Sequence, residues 1–510
     1  MNKLFLALLS GLALAFSWPS IGLFPLIFIA FIPLFLLEEE ANSGKQVFGY
    51  SFVAFFIFNL IATYWVYHAS PFGAICAFII NAGLMAFAFW LFHQIRIMSS
   101  NRIGYMSFIF SWISMEYFHL NWDLSWPWLT LGNVFANSTY LIQWYEFTGF
   151  LGGSFWVLLI NISLFRLYKK KVVLFPIFVL FIPIIVSLLM YFNFKEKNNE
   201  SIEVLIIQPN VDPYIDKFSI SFDDQLIDFI KLAETGLTQE TDLLIGPETA
   251  LTEGIWEDQD NTYENTYSIN KLRELQKEYP NLNILVGATT YKLFSYNETK
   301  TSTARKIRNE DIFYDVYNSA IFINDSGYVD VYHKTKLVPG VEKMPFPKIL
   351  DPLAKIAIDL GGTSGSLGSE NYINSFLVNT SLVAPLICYE SVYGDMDLGK
   401  TNLLAIITND GWWKNTAGYK QHLNYARLRA IEQRKSVVRS ANTGISSVIN
   451  SRGDVLQKSN WDEVVCMQAN VSLSNTNTVY SQLGDYIGRV SVFIAIIFLI
   501  MTFVKVRLSK

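Results

Sequence analysis

Cysteine and charge are both scarce in this sequence. Three cysteines, Cys76, Cys388 and Cys466, are spread over 510 residues without a C-x-x-C pair. A disulfide framework is therefore not expected, although a Cys388–Cys466 bridge stays open from the sequence alone. Charged residues make up 16% of the chain and the net charge is −5. Without a Lys/Arg-rich face or a zinc-ligand spacing, the sequence argues against a nucleic-acid partner.

Apolar residues, by contrast, make up 51% of the chain and aromatic residues 15%. That composition is typical of a protein that lies partly in a lipid bilayer. About eight apolar stretches approach the ~20 residues that cross the hydrocarbon core. They lie at about 3–18, 21–37, 47–67, 72–93, 104–120, 138–165, 172–193 and 485–505. The first stretch also resembles a signal peptide, but the second follows so closely that we interpret the first as an uncleaved span.

The order of these stretches predicts three parts. They are an N-terminal transmembrane domain of about seven helices at 1–194, an α/β domain at 195–483, and a C-terminal transmembrane helix with a basic tail at 484–510. Basic residues collect on one side of the spans, for example at Lys3, at 169–171 and in the tail. The positive-inside rule then predicts that both termini are cytoplasmic and that the α/β domain is extracytoplasmic.

The central domain alternates β-rich runs with helical ones. Leu403–Thr408 is an apolar run typical of a buried strand, and 419–434 repeats apolar residues with helical spacing. This alternation indicates a layered α/β domain with buried strands. The glycine- and serine-rich stretch at 361–370 is predicted to be a flexible loop, and it is our candidate for the loop that closes over the site.

Three apolar or β-rich runs of this domain each lead to a reactive side chain. The first leads to Glu248, the second to Lys334 and the third to Cys388, which is followed by Tyr389 and Glu390. A thiol at the end of a strand with carboxylates nearby is a typical arrangement for a nucleophile. Taken singly, each residue has an ordinary alternative: a helix-start carboxylate, a solvated surface charge and a small buried hydrophobe, respectively.

Together, the three motifs resemble those of the nitrilase superfamily, in which Glu, Lys and Cys occur in this order. Glu248 closes a G-P-E motif, Lys334 opens K-x-x-L-x-P, and Cys388 opens C-Y-E. Membrane spans before and after the domain narrow the resemblance to the apolipoprotein N-acyltransferase family of bacterial envelopes. The resemblance implies an α-β-β-α sandwich on the periplasmic side of the bacterial inner membrane.

The resemblance also implies roles for individual residues. Glu248 would take the thiol proton, Lys334 would stabilise the thiolate and the oxyanion, and Cys388 would be the nucleophile. The supporting residues are Glu342, Glu390 and Tyr389, and the candidate substrate contacts are Trp412, Arg439 and Asn318. Core packing of the aromatic residues and a structural ion pair at Arg439 stay open as alternatives. A Cys–His pair with His333 or His422 is a weaker arrangement, because neither histidine belongs to the matched motifs.

The implied reaction is a ping-pong acyl transfer without a metal or another cofactor. A membrane phospholipid donates an acyl chain to Cys388 as a thioester, and the α-amine of the diacylglyceryl-modified N-terminal cysteine of an apolipoprotein accepts it. A monomer in the lipid bilayer is expected to catalyse this last step of lipoprotein maturation. One alternative is a membrane-tethered amidase that acts on a small amide, but seven predicted spans favour a lipid substrate. A non-enzymatic transport or assembly protein is disfavoured by the presence of all three motifs.

Overall fold

The computed structural model describes residues 2–170, 174–196, 200–257, 262–295, 297–347 and 366–508. The chain divides into two compact units. The helical unit comprises Met1–Phe194 and Thr478–Lys510, and the sandwich unit comprises Lys195–Asn477. The first half of the predicted loop at 361–370, residues 361–365, lies outside the described residues.

Helices come first along the described part of the chain, and the strands follow. The first helices are α1 (Lys3–Ser17), α2 (Ile32–Glu39), α3 (Gly44–Thr63), α4 (Val66–Ala69), α5 (Pro71–Met98), α6 (Asn101–Leu120), α7 (Tyr145–Lys170) and α8 (Leu174–Asn193). The sandwich unit then contains β1 (Ser201–Gln208), α9 (Asp216–Ser219), α10 (Phe222–Glu234), β2 (Leu243–Ile245), β3 (Leu251–Trp256), α11 (Thr262–Asn265), α12 (Tyr267–Glu278), β4 (Asn283–Leu293), β5 (Arg305–Lys306), β6 (Phe313–Ile323) and β7 (Val329–His333). It continues with β8 (Phe376–Val378), β9 (Ser381–Ile387), β10 (Leu403–Thr408), α13 (Ala417–Gln433), β11 (Ser436–Ala441), β12 (Ser447–Ile449), β13 (Val455–Lys458) and β14 (Val465–Ser472). The chain ends with α14 (Val479–Leu483) and α15 (Tyr486–Leu508).

Five helices among the described residues are long and apolar enough to cross a membrane, namely α3, α5, α7, α8 and α15. Helix α1 is apolar but has only 15 residues, and α6 has 20 residues but is more polar. The prediction of a helical N-terminal region with several apolar helices, followed by one more at the C-terminal end, is therefore confirmed. By length and composition, these helices are those of a membrane protein.

The predicted span at 21–37 is wrong as a single helix. The chain there forms a 3-10 turn, Phe24–Phe28, and then the short α2, and each element has a proline in its first turn. Proline has no backbone N–H to donate and is tolerated at the start of a helix but not in its interior. The two prolines therefore begin two short elements. The predicted span at 138–165 likewise starts with a separate 3-10 turn, Thr139–Leu141, before α7.

The sandwich unit is built from two sheets. Sheet I has the strand order β14-β1-β2-β4-β6-β5, with β3 paired to β4 and β7 to β6, and sheet II has the order β13-β12-β11-β10-β9-β8. One apolar core lies between the sheets and contains Ile206 and Ile245 of sheet I with Ile387 and Ile407 of sheet II. A second core packs α10 and α12 on the other face of sheet I, and α13 packs against β11 of sheet II. The layers are therefore helix, sheet, sheet and helix.

Parallel strands bring the reactive residues to one edge of the sandwich. β1, β2 and β4 are parallel neighbours in sheet I, and β9, β10 and β11 are parallel neighbours in sheet II. The residues that follow such strands meet at their carboxyl ends. Glu248 follows β2 and Asn409 follows β10, and the Asn409 N–H donates to Glu248 Oε2 at 3.0 Å. This hydrogen bond joins the two sheets at the edge where Cys388 follows β9.

Candidate active site

Cys388 is presented on a strained turn. It is the first residue after β9 and opens the 3-10 turn Cys388–Val392. Its φ of +50° is the left-handed region, which costs a non-glycine residue about 1–3 kcal/mol and is often found at functional turns. The side chain is half-buried, and the hydroxyl of Thr408, at the end of the adjacent β10, hydrogen-bonds to the thiol.

The charges around Cys388 act in opposite directions on its thiol. Burial, followed by the negative charge of Glu248, raises the pKa of the Cys388 thiol well above its usual value, and the Lys334 ammonium opposes that shift. The thiol is therefore protonated at neutral pH. A base must take its proton as the sulfur attacks a carbonyl carbon, because the thiolate is the nucleophilic form.

Lys334 follows directly after β7, and only 1% of its surface is exposed. Its Nζ donates to Glu342 Oε1 at 2.7 Å and lies 3.4 Å from Glu248 Oε1. Burial alone lowers the pKa of Lys334, but the negative charges of Glu342 and Glu248 outweigh burial and raise that pKa. Lys334 is consequently a permanent cation next to the thiol.

Glu248 accepts hydrogen bonds at both carboxylate oxygens. Its Oε1 accepts from Asn318 Nδ2 at 2.7 Å and from Lys334 Nζ, and its Oε2 accepts from the Asn409 N–H. These partners are all donors, which suits an ionised carboxylate. The next residue, Thr249, has a φ of +50°, so the chain turns sharply where it presents the carboxylate. Glu248 thus lies beside Lys334 after β2, and its charge acts on the Cys388 thiol.

Asn318 lies between the two carboxylates of the site. Its Nδ2 donates to Glu248 Oε1 at 2.7 Å and to Glu342 Oε1 at 3.0 Å, and its backbone oxygen accepts the Lys334 N–H at 2.9 Å. These contacts fix the positions of Glu248, Glu342 and Lys334 relative to one another. Among the described residues, Asn318 Oδ1 is buried without a hydrogen-bond partner, which leaves one acceptor on the residue that the sequence indicated as a substrate contact.

Glu390 connects the lysine segment to the cysteine turn. Its Oε1 accepts the Thr335 N–H at 2.7 Å, one residue after Lys334, and its Oε2 accepts the Ile387 N–H at 2.7 Å, one residue before Cys388. The side chain is fully buried, and burial raises its pKa. Glu390 therefore supports the site by binding the backbone next to Lys334 and next to Cys388.

Both aromatic candidates pack against other rings. Tyr389 is buried, and its ring meets that of Tyr393 edge to face, with 5.3 Å between the ring centroids. Trp412 is half-buried and packs edge to face on Tyr214 at 5.3 Å, and its backbone oxygen accepts the Tyr214 hydroxyl at 2.7 Å. Packing thus accounts for Tyr389, whereas Trp412 keeps part of its surface exposed.

Arg439 forms the buried ion pair that was the structural alternative for this residue. It has no exposed surface, its Nη2 donates to Asp410 Oδ2 at 2.6 Å, and its Nη1 donates to the backbone oxygen of Ile445. Asp410 Oδ1 lies 2.9 Å from His422 Nδ1. Burial tends to raise the pKa of Asp410, but the charges of Arg439 and His422 outweigh it and lower that pKa.

The two histidines have their ring nitrogens occupied. His422 contacts Asp410 through Nδ1 and the Cys388 carbonyl oxygen through Nε2 at 3.0 Å. His333 lies between two carboxylates, Glu370 at Nδ1 (2.8 Å) and Glu257 at Nε2 (2.7 Å). Because each ring uses both nitrogens in these contacts, the geometry disfavours a Cys–His pair.

Lys217 is a charged residue near the site that sequence reasoning missed. Its Nζ donates to Thr249 Oγ1 at 2.7 Å, next to Glu248, and lies 6.0 Å from the centre of the Trp412 ring. Burial lowers the pKa of Lys217 to about 8, against the opposing charge of Glu248. In the sequence, Lys217 lies in a polar segment after β1 without a flanking motif, so it resembles a surface charge. Only the tertiary fold brings it beside Glu248.

Comparisons with known proteins agree with this organisation. A family model described as Apolipoprotein N-acyltransferase N-terminal domain matches residues 10–163, and one described as Carbon-nitrogen hydrolase matches residues 211–480. A protein of Chlorobaculum tepidum named Apolipoprotein N-acyltransferase is 27% identical over 525 residues, which cover 99% of this chain and 97% of the relative. Proteins with the same name from Geobacter metallireducens and Rickettsia prowazekii are each 26% identical. The former match covers 94% of this chain and 91% of the relative, and the latter covers 98% and 96%.

The match therefore extends over nearly the whole chain, including the apolar helices on both sides of the sandwich unit. The Carbon-nitrogen hydrolase model alone covers more than half of the residues. This protein belongs to the carbon-nitrogen hydrolase family, and residues 10–163 of its helical N-terminal region match the Apolipoprotein N-acyltransferase N-terminal domain model.

Proposed function

We propose that this protein is an apolipoprotein N-acyltransferase whose catalytic residues are Glu248, Lys334 and Cys388. One observation carries the proposal: a cysteine on a strained turn lies beside a buried lysine and the glutamate that this lysine contacts, in a chain whose full length is similar to relatives with that name. The acyl donor is a membrane phospholipid. The acceptor is the α-amine of the diacylglyceryl-cysteine at the N-terminus of an apolipoprotein.

In the first half-reaction, Glu248 removes the proton of the Cys388 thiol as the sulfur attacks the ester carbonyl carbon of the phospholipid. The carbonyl oxygen becomes an oxyanion, which the ammonium of Lys334 stabilises. The ester C–O bond then breaks, and Glu248 returns the proton to the departing alkoxide. The products are a lysophospholipid and a thioester on Cys388.

In the second half-reaction, the acceptor amine attacks the thioester carbonyl carbon, and Glu248 takes a proton from the nitrogen. Lys334 stabilises the same oxyanion position. The C–S bond breaks, an amide forms, and the proton on Glu248 returns to the Cys388 sulfur. Each side chain ends in its starting state, so the cycle consumes no cofactor.

Membrane-bound substrates explain why an acyl-transfer site is joined to so many apolar helices. Following the distribution of basic residues, the sandwich unit, Lys195–Asn477, is the catalytic domain and lies on the periplasmic side of the bacterial inner membrane, with a cytoplasmic tail in 484–510. The protein acts as a monomer. The amidase alternative has no specific observation in its favour.

A transfer assay tests the proposal. The full-length protein is incubated in phospholipid vesicles with a synthetic peptide that begins with diacylglyceryl-cysteine, and the peptide mass is followed. Wild type is expected to add one acyl chain to the peptide, and Cys388→Ala, Glu248→Gln and Lys334→Met are expected to add none. Hydrolysis of small amides by wild type, without any acylated peptide, would instead support the amidase.

A further inference from the structure

A buried histidine contacts the turn that presents the nucleophile, and the proposed reaction gives it no role. His422 lies on α13 and has no exposed surface. Its Nε2 lies 3.0 Å from the Cys388 carbonyl oxygen and 2.8 Å from Ser391 Oγ. A carbonyl oxygen can only accept a hydrogen bond, so Nε2 carries a hydrogen. His422 therefore donates to the residue whose thiol attacks the substrate.

The Cys388 turn needs such contacts because it is strained. A non-glycine residue with a φ of +50° keeps this conformation only where its surroundings hold it there. The Cys388 carbonyl oxygen accepts from two side chains, His422 Nε2 and, at 2.8 Å, Ser391 Oγ. The carbonyl carbon and Cβ are both bonded to the Cα of Cys388. Donors that fix the carbonyl therefore also restrain the position of the sulfur.

His422 is itself held by a buried ion pair. Its Nδ1 lies 2.9 Å from Asp410 Oδ1 and 3.0 Å from Arg439 Nη2, and neither of these two side chains has exposed surface. Asp410 Oδ1 also accepts the Thr408 hydroxyl at 3.0 Å. Because Thr408 hydrogen-bonds to the Cys388 thiol, this carboxylate oxygen is connected to Cys388 twice. One route passes through His422 to the carbonyl oxygen, and the other passes through Thr408 to the sulfur.

We propose that His422, oriented by Asp410, is a positioning residue for the nucleophile: its Nε2–H holds the Cys388 carbonyl and thereby keeps the sulfur in place for attack on the acyl donor. The inference rests on the proposed function, in which Cys388 carries the acyl chain. His422 moves no proton in the cycle, and Glu248 remains the base. Loss of this contact therefore slows formation of the thioester without weakening the binding of phospholipid.

Two amide substitutions at position 422 separate positioning from general stability. The amide nitrogen of glutamine can occupy the place of Nε2, whereas that of the shorter asparagine can occupy only the place of Nδ1. Full-length proteins are mixed with vesicles of phosphatidylethanolamine and phosphatidylglycerol, and the rate of thioester formation is followed by intact mass. His422→Asn is expected to slow this rate about tenfold at saturating phospholipid, and His422→Gln is expected to stay within about twofold of wild type. The phospholipid concentration that gives half the maximal rate is expected to be the same in all three proteins.

Gln276→Met is the matched control in the same unit. Gln276 is buried on α12, and its Nε2 donates to the backbone oxygens of Leu282 at 2.7 Å and of Asn324 at 2.9 Å. This variant is expected to lower the unfolding temperature and to leave the rate unchanged. Equal rates for His422→Asn, His422→Gln and wild type, or an equal loss in His422→Asn and Gln276→Met, would overturn this proposal alone. A wild-type protein that forms no thioester would overturn the proposed function as well.

Discussion

Glu342 Oε1 accepts a hydrogen bond from Lys334 Nζ at 2.7 Å, and both side chains are almost fully buried. The carboxylate of Glu248 is farther from the same ammonium, at 3.4 Å. Glu342 is therefore the nearer carboxylate partner of the lysine. Glu248, which also accepts hydrogen bonds from Asn318 and Asn409, is the base in the proposed reaction. Because the two carboxylates have different contacts, the effect of substituting each one can be tested separately.

Glu342→Gln is expected to keep the shape of the site and to weaken its hold on Lys334. A hydrogen bond between charged groups contributes about 1.5–3 kcal/mol, so we expect kcat for acyl transfer to fall roughly 10- to 100-fold. The measurement is the single-turnover rate of peptide acylation. Glu274→Gln is the matched control, because Glu274 contacts Lys271 at the same 2.7 Å distance on an exposed helix surface. An equal loss in both variants would contradict a specific role for Glu342.

Lys217 is expected to shape the alkaline side of the pH–activity profile. Burial lowers its pKa to about 8, so its positive charge beside Glu248 is lost as the pH rises through that value. If this charge assists acyl transfer, the wild-type rate falls above pH 8. Lys217→Arg keeps a charge at every accessible pH and is expected to move that fall to higher pH, whereas Lys217→Gln is expected to be slow throughout. Superimposable profiles for all three proteins would show that the charge has no part in the reaction.

His333 is expected to stabilise the sandwich unit in acid and to lose this effect in alkali. Burial lowers the pKa of His333, but Glu257 and Glu370 outweigh burial and raise it to about 9. The pKa is thus raised above the ordinary value near 6.5, so the stabilisation is complete below that value and disappears as the pH rises through about 9. His333→Gln is expected to lose about 3 kcal/mol at pH 6 and little at pH 10. Thermal unfolding of both proteins across this range measures the difference, and a constant difference would refute the prediction.

Arg439→Met is expected to destabilise the fold, because it leaves Asp410 buried and without its ion-pair partner. Removal of one member of a buried pair costs about 3–5 kcal/mol in unfolding free energy. Arg452→Met removes a more exposed partner, that of Asp454 at 2.7 Å, and is expected to cost less than about 1 kcal/mol. Thermal unfolding compares the two variants. If Arg439→Met melts like wild type yet binds substrate poorly, the role of a substrate contact would be favoured instead.

The sequence was most informative where apolar runs end. Leu403–Thr408 was predicted as a strand and is β10, with the same bounds. The ends of such runs also indicated Glu248, Lys334 and Cys388 as candidates one by one. Only the resemblance of their three motifs to one superfamily grouped these residues into a single site. The recognition of the family is confirmed by the family models.

The features of the site that the sequence did not predict depend on contacts between segments far apart in the chain. Lys217 meets Thr249 across 32 positions of sequence, and no local pattern predicts such a pair. The sequence indicated Arg439 as a candidate substrate contact, with a structural ion pair as the alternative. The ion pair could be chosen only from the structure, which places Asp410 beside Arg439. The span at 21–37 failed for a local reason: hydropathy averages over a window and does not register that a proline restarts a helix.

Intact-mass spectrometry of the purified protein after incubation with phospholipid tests the central claim most directly. Wild type is expected to gain the mass of one fatty acyl group, which hydroxylamine removes and which the diacylglyceryl-cysteine peptide also removes. Cys388→Ala is expected to gain nothing. A hydroxylamine-sensitive adduct that persists in Cys388→Ala would mean that another residue is the nucleophile, and no adduct on wild type would contradict a thioester intermediate.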